Sequence, residues 1–496
     1  MILLVQSSEL YNNDLRAMLM AFYPEEKLMA LLPAEVATVG RELHNECTLC
    51  FTALFDEKRT LLKIEERAVV KFSAYVTGPY EDRKVFRNRL KLASYQILSE
   101  FTGRELPWGS LTGVRPTKIA MTGLREDASD EDIVTEYERR YAATTEKANL
   151  ALSVAKKETE IFKNEDIDTC RDYALYIDIP FCPSRCLYCS FAAYPIASYK
   201  YKVPDYLYAL SKELQFISYV NRERRLVSIY VGGGTPTSLG ELSFDNFLTE
   251  AKRYFDLSYL KEFTVEAGRP DSITPEKLQI MKNHGVTRIS INAQTINNNT
   301  LKIIGRAHTA EQFIGAFDMA RKAGFNNINT DIIAGLPMEK LQDMERTLGY
   351  IKRLRPESLT VHSLAVKRAA NLKEEYDTFR EYINHDAKEM HALAADYAKH
   401  MGMKPYYMYR QKNIAGNLEN VGYAKPGTEC LYNMLIMEEK TDIFGAGAGA
   451  STKLINPKKG NVERIANSKN VDDYIRRIEE MLDKKRETIG NERVNQ

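Results

Sequence analysis

"YIDIPFCPSRCLYCSF", residues 176–191, runs from a short β-rich segment ending at Pro180 into a loop that carries three cysteines in eight residues. The chain has seven cysteines, at positions 47, 50, 170, 182, 186, 189 and 430, so nearly half of them crowd into this loop. The spacing of Cys182, Cys186 and Cys189 is C-x3-C-x2-C.

A structural zinc site takes four ligands, often as two separated pairs. Three close thiolates on one loop can instead hold three corners of a cubane iron–sulfur cluster. The fourth iron then has no protein ligand and can accept a small molecule. A reactive or buried cysteine cluster, or zinc completed by a distant His or Cys, are the alternatives.

Outward from the loop the chain alternates strands and helices. β-rich runs stand at 173–179, 226–232, 262–267, 287–292, 327–335 and 358–364, with helical periods between them at 204–220, 274–285 and 309–324. Several of these helices finish at a glycine, as a left-handed C-cap requires. Such an α/β pattern builds a parallel sheet with right-handed crossovers. Six units fit a partial barrel or a doubly wound sheet, and the pattern alone does not choose.

Ligands in parallel sheets bind at strand ends, and polar residues gather there. "VGGGTPT" (231–237) places Gly232, Gly233, Gly234 and Thr235 at the end of the second run, where bare glycine backbone lets a ligand approach. A tight turn would use the same glycines. Glu266 ends "EFTVEA", Gln294 follows "RISIN", and Asp331 sits in "NINTDIIAG". Polar groups there need partners if buried. Gln294 and Asp331 have the chemistry to bind hydroxyls, and Arg306 in "IIGRAH" can pair with a carboxylate.

At 496 residues the chain is too long for one ordinary core. Its 69 basic and 68 acidic residues nearly cancel, which argues against a strongly electrostatic nucleic-acid binder. No apolar run is long enough for a membrane span, and the start lacks the basic region of a secretory signal. The low, odd cysteine count does not suit a secreted disulfide scaffold, so a reducing cytoplasm is expected. Residues 1–165 read as an N-terminal accessory domain, with helices at 81–101 and 129–162 and the only tryptophan, Trp108. Residues 166–385 hold the alternating core. Residues 386–496 read as a smaller domain, with helices at 386–401 and 471–487 and a disordered polar tail.

The cysteine loop resembles that of the radical S-adenosylmethionine (SAM) superfamily. "GGGTPT", "RISINAQT", "GRAH" and "TDIIAGLP" narrow the resemblance to the oxygen-independent coproporphyrinogen III dehydrogenase family. The long N-terminal region and "LTGVRPTKIAM" are similar to its HemZ-type branch, related to HemN and HemW. The resemblance implies a partial (β/α)6 radical-SAM barrel, with an N-terminal α+β extension and a smaller C-terminal α+β domain. It implies a [4Fe-4S] cluster on Cys182, Cys186 and Cys189, and SAM chelating the open iron. Tyr176, Tyr188, Gly233, Gly234, Thr235, Glu266, Gln294, Arg306 and Asp331 are the implied cofactor contacts.

The implied reaction is oxidative decarboxylation of two propionates of coproporphyrinogen III to vinyl groups. It needs an external flavodoxin- or ferredoxin-like electron donor and an electron acceptor. A haem chaperone, or another radical-SAM reaction on a tetrapyrrole, are the alternatives. Lys367, Arg368, Arg410 and Lys412 are candidate cations for the substrate carboxylates. "YRQKNIAGNLENVGYAKPG" departs from the family's usual segment, which weakens the substrate inference and not the cofactor inference. His44, Cys47 and Cys50 in "HNECTLC" have metal-like spacing but no second pair, and a buried strand explains the cysteines better.

Overall fold

The structure is a computed structural model. It describes residues 1–494 apart from Glu25, 37–46, Pro79, Val114, 365–385, 412–416 and 457–459. The chain divides into two compact units, Met1–Lys156 with Met408–Asn420, and Lys157–Tyr407 with Val421–Gln496.

The first unit is built on five strands: β1 (Ile2–Gln6), β2 (Leu28–Leu31), β3 (Leu49–Phe55), β4 (Arg59–Glu66) and β5 (Val69–Thr77), in the order β2-β1-β3-β4-β5. The expected amphipathic helix is present at Arg83–Thr102 and starts where Asp82 accepts hydrogen bonds from the Lys84 and Val85 amides. Its Phe86, Leu90 and Leu98 pack with Leu15, Leu19 and Phe22 of the Asn12–Phe22 helix against Ile2, Leu4 and Phe51 of the sheet. The single helix expected over 129–162 is two, Asp130–Tyr141 and Thr145–Asn164. Ala142 breaks it by adopting a left-handed backbone, φ 52°.

The second unit has an eleven-stranded sheet. Its core is β6 (Asp172–Ile179), β9 (Arg225–Gly233), β10 (Glu262–Glu266), β11 (Arg288–Ser290), β12 (Ile328–Ala334) and β13 (Ser358–Ser363), six strands joined in parallel in the order β13-β12-β11-β10-β9-β6. These are the six runs expected from sequence, alternating with helices Val203–Val220, Glu241–Arg253, Pro275–Asn283, Ala310–Lys322 and Leu341–Leu354. A two-stranded ladder, β7 (Phe181–Cys182) with β8 (Tyr194–Pro195), brackets the cysteine loop. The strand order is linear, so the sheet is open.

Residues after 386 extend this same sheet. β14 (Lys404–Tyr409) and β15 (Asn420–Ala424) lie beyond β13, which pairs antiparallel with β15. At the other end β16 (Asp442–Ala446) runs parallel to β6, followed by β17 (Ser451–Asn456) and β18 (Asn461–Ala466). The expected charged helix is divided into Val471–Arg476 and Ile478–Val494, so helix occupies the stretch expected as a disordered tail. Lys485 on it forms a fully buried ion pair with Glu213 of the Val203–Val220 helix. Glu213 also accepts from the Gly447 amide (2.8 Å) and Tyr474 hydroxyl (2.6 Å), which fixes the glycine-rich turn after β16.

The core sheet has two chemically different faces. Leu175, Ile177, Ile229, Val231, Phe263, Val265, Ile289 and Ile328 belong to one large apolar cluster with the covering helices. Each such side chain contributes about 1.5–3 kcal/mol on burial. The alternate positions, including Tyr176, Asp178, Tyr230, Thr264, Glu266, Ser290, Asn329 and Asp331, put polar groups on the opposite face. That face holds the candidate site.

Candidate functional site

The cysteine loop leaves β6 and is tied down from two sides. Arg269, just beyond β10, is almost fully buried. It donates to the Ser184 carbonyl (3.1 Å), the Ser184 hydroxyl (3.0 Å) and Cys186 Sγ (3.6 Å), and pairs twice with Asp271 at 3.0 Å. Burial alone would raise Asp271, but the hydrogen bond and charge of Arg269 outweigh it and hold the carboxyl below its ordinary value. On the second side the Leu187 amide donates to the Ile304 carbonyl (3.0 Å) and the Ser184 hydroxyl to the Gly305 carbonyl (3.0 Å). Gly305 adopts a positive φ of 75°, which glycine takes without strain, and a Cβ there would also lie 3.1 Å from the Arg185 carbonyl oxygen.

The thiols lie in a partly dry setting. Thr235 donates to Cys182 Sγ at 3.4 Å, and the Cys189 amide donates to the Cys186 carbonyl. Burial pushes the Cys182 thiol up to about 12 and raises Cys189. Among the described residues, no three His, Cys, Asp or Glu side chains converge as ligands of one metal ion would.

Each glycine of "GGG" has a neighbour that excludes a side chain. A Cβ on Gly232 would meet the Glu266 carboxyl at 2.9 Å, and one on Gly233 (φ 95°) would meet the Asp178 carboxyl at 2.4 Å. On Gly234 it would meet the Ile179 and Phe181 carbonyls at 2.7 Å. The motif therefore lets two carboxyls lie directly on the strand.

Tyr176, Tyr230 and Tyr432 form a stack beneath these carboxyls, with centroids 4.5–6.2 Å apart. Tyr176 donates to Asp178 (3.2 Å) and Tyr230 to Glu266 (2.5 Å). Burial pushes Glu266 up to about 7 and, helped by the charge of Glu266, raises Asp178 well above the carboxylate range. Tyr432 opens the Leu431–Glu438 helix, whose first amides are capped by Glu262 at the start of β10. Asp331 behaves oppositely. Burial would raise it, but His362, whose Nε2 is 3.6 Å away, and donors from Asn329 (2.7 Å) and Thr360 hold it below its ordinary value.

Arg306 spends donors on the Tyr188 hydroxyl (3.2 Å) and on the Gly268 (3.2 Å) and Asn292 (2.9 Å) carbonyls, tying the cysteine loop to the ends of β10 and β11. Gln294 stands in a left-handed backbone (φ 60°), fixed by its amide on the Asp331 carbonyl and its carbonyl on the Ile333 amide. Its side-chain Oε1 is buried without a hydrogen-bond partner among the described residues. Arg410, one of the candidate substrate cations, is buried over Trp108 and donates to the Leu111 and Asn417 carbonyls within the first unit. Lys367, Arg368, Lys412 and His44 lie outside the described residues. Cys47 and Cys50 are buried with Leu3 and Val5, as expected of small hydrophobes.

Sequence reasoning missed Asp178, Arg269 and Tyr432. Asp178 and Arg269 had a legible signal, since each is a charge at the end of an apolar strand. Tyr432 lies in "VGYAKPGTECLYN" (421–433), a segment similar to the family's, but its helix reaches the site only through tertiary packing, so its role was not legible.

A parallel α/β core with a cysteine loop after its first strand is the arrangement that the family comparison recognises: residues 176–351 match the radical SAM superfamily model. The chain is 39% identical over 429 residues to "Oxygen-independent coproporphyrinogen-III oxidase-like protein HemZ" of Bacillus subtilis, covering 85% of this chain and 84% of that protein. It therefore belongs to the radical SAM superfamily, in the family of HemZ-type coproporphyrinogen-III oxidase-like proteins. It is also 33% identical over 301 residues to "Heme chaperone HemW" of the same organism, covering 59% of this chain and 75% of that protein. In fold it is similar to the coproporphyrinogen III oxidase HemN of Escherichia coli, with TM-score 0.51 and 20% identity, covering 65% of this chain and 73% of that one.

The family works with a [4Fe-4S] cluster and SAM, and the residues fit both groups. Three thiols stand on one loop with Arg269 and Thr235 donating to sulfur. Buried acceptors at the end of β6 and after β11 have no partner among the described residues. Among the described residues, no helix is long and apolar enough to cross a membrane.

Proposed function

We propose that the protein carries out radical-SAM oxidative decarboxylation of coproporphyrinogen III propionates to vinyl groups, giving protoporphyrinogen IX. The observation that carries this reading is the match to the HemZ protein along 85% of the chain, well beyond the catalytic core alone. In this reading Cys182, Cys186 and Cys189 hold the cluster. When bound, the cluster and SAM supply one-electron cleavage of SAM and hydrogen abstraction from the substrate.

The chain's own residues bind and orient. Arg269 and Arg306 hold the cysteine loop against the strand ends, and their positive charge favours thiolate over thiol. Asp331, kept ionised, accepts hydroxyl hydrogens of the nucleoside. The Tyr176–Tyr230–Tyr432 stack closes the floor and excludes water. An external flavodoxin- or ferredoxin-like protein supplies the electron, and an external acceptor takes the one released with carbon dioxide.

A second reading, a haem chaperone, is favoured by the 33% identity to HemW. Anaerobic incubation of the reconstituted protein with SAM, reductant and coproporphyrinogen III tests both, with product masses read after oxidation to porphyrins. Loss of two carboxyl groups supports decarboxylation. SAM cleavage without mass loss overturns the substrate, and stable haem transfer without decarboxylation selects the chaperone.

A further inference from the structure

Asp178 is a buried acid without a cation. It is 7% exposed, one oxygen accepts from Tyr176, and the other, Oδ1, has no hydrogen-bond partner among the described residues. No basic side chain among the described residues pairs with it. The titratable groups around it are Tyr176 on its own strand, Glu266 from β10 and Tyr432 from the Leu431–Glu438 helix, with Tyr206 donating to its carbonyl. An isolated buried carboxyl is costly, and folds keep one where a bound group compensates it.

The neighbourhood narrows what that group is. Asp178 and Glu266 lie against Gly233 and Gly232, so two carboxyls flank one bare stretch of strand. Gln294 adds a second buried acceptor without a partner. A ligand satisfying these atoms must present hydrogen-bond donors, and two carboxyls together favour a cationic one.

We propose that Asp178 is a further anchor of the SAM site, accepting from the ligand's ammonium group through the oxygen that Tyr176 leaves open. It is a binding and positioning residue, and it rests on the reading that this unit binds SAM. With the cation bound the acid ionises and forms a charge-assisted hydrogen bond. Glu266 flanks the same group from the neighbouring strand.

The test compares two ligands on the anaerobically reconstituted protein. SAM carries the ammonium, whereas 5′-methylthioadenosine keeps the nucleoside and lacks the amino-acid part. Calorimetry on wild type and Asp178→Asn should show SAM binding weakened about tenfold or more, with methylthioadenosine changed less than twofold. Asp178→Glu, which keeps the charge, should recover part of the SAM affinity. The ratio of the two affinities does not depend on the folded fraction. Equal loss for both ligands, or no loss for either, overturns the role given to Asp178. Failure of wild type to assemble a cluster or bind SAM overturns the cofactor reading itself, and shows in the wild-type control.

Discussion

Two C-x2-C pairs in one chain have opposite surroundings. Cys47 and Cys50 sit at β3 among Leu3 and Val5, and the polar contact of Cys50 is Thr52 Oγ1 at 3.8 Å. Burial pushes Cys50 up to about 12. Cys186 and Cys189 sit on a loop fastened by buried arginines, with a guanidinium donor 3.6 Å from Cys186 Sγ. Cys182, on the same loop, is also pushed up to about 12. The raised thiol is therefore common to both regions and discriminates nothing. What differs is the third cysteine, the loop backbone, and the positive donors aimed at sulfur. Spacing proposes a site, and the groups around it decide.

The comparison breaks most visibly by the same chemical change in each region. Cys186→Ser should abolish cluster assembly, read as loss of the visible iron–sulfur absorbance and of acid-labile sulfide after reconstitution. A hydroxyl is a poor substitute for thiolate at iron. Retained cluster and SAM cleavage in this variant would remove Cys186 from the ligand set.

Arg269 tests whether the surroundings matter as much as the sulfurs. Arg269→Ala removes the donors to Ser184 and Cys186 and leaves the partly shielded Asp271 carboxyl without its guanidinium partner. Losing charge-assisted hydrogen bonds of this kind costs about 1.5–3 kcal/mol. The expected result is a lower unfolding midpoint together with several-fold poorer cluster retention. An Arg269→Ala, Asp271→Ala double variant should recover stability but not retention. Recovery of both would make Arg269 purely structural.

Much of this was readable in advance because local chemistry fixed it. The six parallel strands follow from apolar β-rich runs separated by helical periods, and all six appear within two residues of their expected ends. The glycines at 232–234 were legible as a close approach, but what approaches within this chain is a pair of carboxyls, which no spacing announces. The seventh parallel strand, β16, was not legible. "DIFGA" is short and ends in Gly and Ala, and only its place beside β6 makes it a strand. Likewise Arg410 looked like a free cation in a polar stretch. Its burial on Trp108 comes from residues about 300 positions away in sequence.

The lesson that donors decide extends to carboxyls and gives a pH dependence. Glu339 is buried, and burial pushes it up to about 7 despite a 2.5 Å hydrogen bond from Thr295, whereas Asp331, with His362 beside it, is held low. For Glu339 the folded value lies above the ordinary 4.5. Its contribution is fully present below about pH 4.5 and is lost as pH rises through 7, a change of about 3 kcal/mol at most. Glu339→Gln should therefore unfold at a higher temperature than wild type at pH 8, with the gap closing toward pH 5. A gap independent of pH would assign the effect to packing alone.

The smallest effect is expected where the spacing looked most like a metal site. Cys50→Ala removes a buried sulfur from a β-strand and leaves the backbone ladder of β1, β3 and β4 untouched. Losing that burial costs about 1–2 kcal/mol, read as a modest fall in unfolding midpoint. Iron and sulfide content should equal wild type, because among the described residues no charged side chain donates to this thiol, and no third cysteine completes a loop. Reduced iron loading in Cys50→Ala would overturn the distinction between the two pairs. It would mean that the first unit also takes part in assembling the cluster. Unchanged loading in Cys50→Ala beside none in Cys186→Ser would show that two pairs with one spacing have different chemistry because of what surrounds them.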